Sequence, residues 1–186
     1  MIARPPPPAL LMTPAERRHW LLSAWRYAVP ALASVALLVL MLAPVPLSVP
    51  AMPHLALMGV LVWAMLQPAL MPPWLAFCIG GLADLLFGLP LGVNATLFAV
   101  ATGVMRLSGR LFGRHGSGFD WLLVAGVLLG VLVLTGPLLA LAGRPTPVSP
   151  LLWQWLTSVL AWPLVARICA AIQRRLATSA PQWRHG

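Results

Sequence analysis

Apolar runs, each closed by proline, glycine or arginine, take up most of this chain. A run of about 20 apolar residues matches the hydrocarbon thickness of a bilayer, where only a helix or a closed barrel satisfies its own backbone. The 186 residues are 60% hydrophobic and 8% charged, with a mean hydropathy of +0.90, against roughly one quarter charged in soluble domains. The sequence therefore reads as an all-α integral membrane protein with room for several short spans and no sizeable soluble domain.

Six spans are expected. The first covers about 27–43 and ends at APVPLSVPAMP; the second, about 52–67, stops at QPALMPP. The third runs from Trp74 to about Phe87, and the fourth covers about 92–106. Between these two, Gly88 and Pro90 in FGLPLG impose a tight hairpin. A glycine-rich basic loop, RLSGRLFGRHGSG at 106–118, precedes a fifth span from Phe119 to Leu141, and the sixth covers about 151–172. The first run lies too far from the N-terminus, with too much membrane-grade sequence after it, to be a secretory signal.

Flanking this 27–176 transmembrane domain are two basic segments. Residues 1–26 start as a proline-rich tail, in which four consecutive prolines favour polyproline II. Thr13, Pro14 and Glu16 then have capping-box spacing for a short helix. Its indoles and arginines suit a helix lying at the membrane surface against anionic lipids, and a plain extension of the first span suits them equally. Residues 177–186 form a basic tail.

All twelve basic residues are Arg, opposed by Glu16, Asp84 and Asp120, for a net charge of +9. They sit at the ends of apolar runs, so orientation in the membrane explains them and nucleic-acid binding does not. With six spans, Arg4, Arg17, Arg18, Arg26, Arg106, Arg110, Arg114, Arg167, Arg174, Arg175 and Arg184 share one face, and the other receives only Arg144. The positive-inside rule then puts both termini in the cytoplasm.

Asp84 is the one acid within the hydrocarbon-like stretch CIGGLADLLFGLPLGVNATLF. Lying ten residues past Trp74, it falls about 15 Å into a core about 30 Å thick. An ionisable group there faces the bundle interior, either as a proton or ligand site or as a polar packing contact. With no second acid to form a relay, packing is the stronger reading. Asn94 and Thr96 on the neighbouring span, or Arg167 reaching inward from the sixth, are the candidate partners. Gly126 and Gly130 form a GxxxG spacing that admits a close helix. Pro137 and Pro163 should kink the fifth and sixth helices and free carbonyls, with Thr157 and Ser158 placed to serve freed groups near Pro163. Trp153 and Trp155 suit an interfacial aromatic belt.

Cys78 and Cys169 are isolated thiols, and His19, His54, His115 and His185 are scattered, so neither a metal site nor a disulfide framework is expected. No nucleophile has a nearby base, and no phosphate loop or HExxH occurs. The sequence points to a noncatalytic protein without a cofactor.

GGLADLLFGLPLGVNATLFAVATGVMR, followed by a basic loop, a long apolar helix and PLLWQWLTSVLAWPLVARICAAIQRRL, resembles the bacterial rod shape-determining membrane protein MreD family. Gly80, Asp84, Leu85, Gly88, Gly92, Thr157, Trp162 and Pro163 occupy the positions of that family's two short motifs, over a likeness covering about 27–176. Phe87 stands where the family usually has a small polar residue, and the proline-rich extension is unusual for it. The resemblance implies a six-helix fold related to the substrate-binding subunits of energy-coupling-factor transporters. It also implies an inner-membrane subunit of the peptidoglycan elongation machinery that regulates cell shape with MreC, MreB, RodA and a class B penicillin-binding protein. The competing reading is a transporter-type subunit that captures a small molecule.

Overall fold

The computed structural model describes residues 28–42, 53–112, 117–143 and 147–178, and all secondary structure in them is helical. The expected tail and surface helix of residues 1–26, and most of the C-terminal tail, lie outside the described residues. The six helices are α1 (Ala28–Leu40), α2 (Leu55–Leu66), α3 (Pro73–Leu86), α4 (Val93–Phe112), α5 (Ser117–Leu141) and α6 (Val148–Thr178).

Their boundaries follow local chemistry at most ends. Pro73 opens α3 at the first helical position, where its missing N–H is no loss. Two expected boundaries are corrected. The basic segment expected as a loop over 106–118 is helical as far as Phe112, and α5 begins at Ser117. Gly109 costs that extension only about 1 kcal/mol, and Met, Leu and Arg around it are strong helix formers. Likewise α6 starts at Val148 and runs to Thr178, longer at both ends than the expected span.

At the centre lies α2, apolar on every side, with Ala56 through Ala64 all buried. It packs against α4 and α6, and α1 crosses it at Gly59, where an added Cβ would come within 2.7 Å of Leu37 Cδ1. At 12 residues it is only about 18 Å long. The outer helices carry the exposed apolar residues: Leu122, Val133 and Leu141 on α5 and Leu160 and Leu164 on α6 are all more than 60% exposed. A large exposed apolar surface of this kind is what lipid or a partner covers. α3 and α4 form an antiparallel hairpin beside this core.

Candidate functional site

The hairpin is built around Asp84. At the end of α3, Gly88 adopts φ +61°, the left-handed conformation that glycine enters without a Cβ penalty. The N–H of Leu89 donates to the Asp84 carbonyl at 2.9 Å and that of Gly88 to the Leu85 carbonyl at 3.4 Å. This is a Schellman termination, which satisfies carbonyls a helix end would leave orphaned. Pro90 then accepts the Val93 N–H at 3.3 Å, and Gly92, at φ +106°, leads into α4.

Every helix start leaves its first N–H groups without a helical acceptor. Gly92 precedes α4 and has no side chain with which to cap it. Asp84, from the preceding helix, supplies the cap instead. Its Oδ2 accepts from the Gly92 N–H at 2.9 Å and the Ala95 N–H at 3.3 Å, and its Oδ1 accepts from the Asn94 N–H at 2.9 Å. The carboxyl is fully buried, at the end of α4 where the helix dipole favours negative charge.

So short a side chain reaches across only because the two backbones nearly touch. One turn earlier on the same face, a Cβ added to Gly80 would lie 2.4 Å from the Asn94 carbonyl oxygen and 2.8 Å from Ala95 Cα. Gly80 therefore sets the helix separation and Asp84 uses it.

Of the expected site residues, Asp84, Gly88, Pro90, Gly92, Asn94 and Thr96 come together here, with two corrections to their roles. Asn94 meets Asp84 through its backbone N–H, while Thr96 Oγ1 donates to the Gly92 and Val93 carbonyls of its own helix start, at 2.6 and 3.0 Å. Arg167 is exposed on α6 and does not pair with Asp84, whose partners are the α4 backbone. α3 packs chiefly on α4, and the carboxyl is engaged within that hairpin, so the two do not meet.

The remaining expected residues lie on α5 and α6, away from the hairpin. Gly126 and Gly130 face open space, so none of the described helices uses their groove. Thr157 and Ser158 do not serve the carbonyl freed by Pro163. Their hydroxyls donate within α6, to the Trp153 and Gln154 carbonyls, and Ser158 Oγ also accepts the His54 backbone N–H at 2.8 Å. Pro163 frees the Val159 carbonyl, and the Trp121 indole of α5 fills that place at 3.3 Å. Trp155, expected in an interfacial belt, turns inward and donates to the Ala125 carbonyl at 3.1 Å.

Sequence reasoning missed one further contact. The Arg106 guanidinium donates to the carbonyls of Pro68 and Met71, tying α4 to the turn between α2 and α3. Nothing in the residue pattern separates that arginine from its neighbours. No group of three or more His, Cys, Asp or Glu positioned to hold a metal occurs among the described residues.

Fold and site define an all-helical protein in which two helices, Gly118–Leu141 and Val148–Arg175, are long and apolar enough to cross a membrane, and in which the buried Asp84 carboxyl holds two helices together. No protein-family model, curated protein or solved structure matches the chain.

Proposed function

We propose that this chain is a noncatalytic, MreD-like subunit of the bacterial cell-wall elongation machinery. In this reading it crosses the inner membrane six times with both termini cytoplasmic, and acts by binding MreC and, through it, MreB, RodA and a class B penicillin-binding protein. The observation that carries the reading is the engagement of Asp84 by the hairpin's own backbone. Gly80, Asp84, Gly88 and Gly92, which belong to the first of the two motifs that carry the resemblance, all act as structural devices of one hairpin. A motif of that kind shapes a surface and engages its carboxyl with the hairpin's own backbone.

Two features add support. The Gly126–Gly130 face of α5 is open, a small-residue groove of the type that lets a partner helix approach closely. At the opposite end from the arginine-rich termini of α4 and α6, the cavity among His54, Thr135, Gln154 and Ser158 has a volume of about 40 Å³. That is room for a few waters and far below the roughly 300 Å³ of small-molecule pockets, which weighs against capture of a small molecule at that end.

The test is a mild-detergent pull-down of the tagged protein from its native membrane, with partners identified by mass spectrometry. Recovery of MreC with the synthase pair supports the proposal. Recovery of an ATPase pair with a coupling subunit refutes it in favour of the transporter-type reading.

A further inference from the structure

Past the last turn of α2 the bundle opens into a cleft of about 830 Å³ between α4, α5 and α6. Its origin is the short central helix. α2 ends at Leu66 while α4 continues to Phe112 and α6 to Thr178, so at this end the outer helices run on past the central one.

Leu66, Leu123 and Trp162 contribute apolar wall, and four arginines also line the cleft: Arg106 and Arg110 from α4, Arg167 and Arg174 from α6. Asp120 is the only acid among the described lining residues, so positive side chains outnumber negative ones along the cleft. The Pro68 and Met71 carbonyls orient Arg106 without neutralising it. Arginines beside an apolar wall suit an amphiphile that carries an anionic headgroup.

We infer that this cleft holds an anionic phospholipid, its phosphate among the arginines and an acyl chain along the apolar wall. Basic pockets between membrane helices on the cytoplasmic side bind such headgroups. The volume lies within the range of pockets that enclose a ligand. The chain's own termini have the wrong sign to fill it, since residues 1–26 carry four Arg against Glu16 and the C-terminal tail is basic. A soluble anion would leave the wall bare. The helices bordering the cleft expose Leu107, Leu111, Leu122 and Leu164 outward, so the cleft lies between faces suited to hydrocarbon.

The inference does not depend on the elongation-machinery reading, and its test is separate. Full-length protein in mild detergent is titrated with phosphatidylglycerol, phosphatidylcholine or glycerol 3-phosphate and observed by native mass spectrometry. Phosphatidylglycerol should bind at least about tenfold more tightly than phosphatidylcholine, with no retention of glycerol 3-phosphate. The double variant Arg110→Gln, Arg167→Gln should lose about tenfold or more of the phosphatidylglycerol affinity while eluting as the wild type in size exclusion. Equal binding of the two lipids by the wild type overturns the inference without recourse to any variant. Retention of glycerol 3-phosphate as tightly as lipid makes the site one for soluble phosphate and overturns it too, as does undiminished lipid binding by a folded double variant.

Discussion

The Trp121 indole N–H donates at 3.3 Å to the Val159 carbonyl, which lies four residues before Pro163 and is therefore the acceptor that the proline leaves without its helical donor. α5 thus repairs a break in the α6 hydrogen-bond ladder, and the two helices are joined where one of them is weakest.

Trp121→Phe keeps an aromatic ring and removes the donor, so it should lower stability by about 1–3 kcal/mol, the cost of a buried carbonyl left unmade. In a Pro163→Ala background the restored backbone N–H takes over the Val159 carbonyl, and the same change should cost less than half as much. A double-mutant cycle on detergent unfolding midpoints measures the difference. Equal costs in both backgrounds would show that the indole contributes packing alone.

Asp84→Leu strips the acceptors from three backbone N–H groups at the start of α4 and should cost more than 3 kcal/mol, enough to reduce abundance in the membrane severalfold. Asp84→Asn keeps one acceptor oxygen and turns an amide group toward an N–H, so a loss of about 1–3 kcal/mol is expected. Quantifying membrane-inserted protein and its unfolding midpoint ranks the three chains. Wild-type behaviour of both variants would refute the capping role.

Glycine substitutions separate close approach from backbone conformation. Gly80→Ala drives a methyl group into the α4 backbone and should be the most damaging, since neither helix can yield without moving the Asp84 cap. Gly88→Ala has space for its methyl and pays only for the left-handed φ, about 1–2 kcal/mol. Gly103→Ala, in open space within α4, should stabilise by up to about 1 kcal/mol. Thermal unfolding in a single detergent reports this order, and a harmless Gly80→Ala would contradict the close packing of α3 on α4.

Gly126→Leu puts a side chain into the open groove on α5, at a position where an added Cβ meets nothing within 4 Å. Its expected signature is unchanged abundance and unfolding midpoint together with reduced recovery of partners in the pull-down. Unchanged recovery would move the partner surface to another helix.

Much of this fold was legible in the residues, for identifiable reasons. Apolar runs near bilayer length favour helices, and Gly88, Pro90 and the tandem Pro72–Pro73 interrupt them, so the six helices and the α3–α4 hairpin could be read from spacing. Asp84 stood out because a carboxyl among aliphatic residues must find a partner. Its partner was a different matter. Side chains can be inspected in a sequence, but the acceptor-hungry N–H groups at a helix start belong to every residue alike. Only the Gly80 contact brought Asp84 within reach of Gly92, Asn94 and Ala95. The same holds for the carbonyl freed by Pro163: its position, at Val159, follows from helical geometry, but the choice of Trp121 over Thr157 or Ser158 depended on how α5 crosses α6. The cleft, too, is tertiary, because it exists where a short buried helix stops while its longer neighbours go on. Local propensity and hydropathy are properties of single segments and determined where helices form; distances between segments arise from packing, and they decided which polar groups meet.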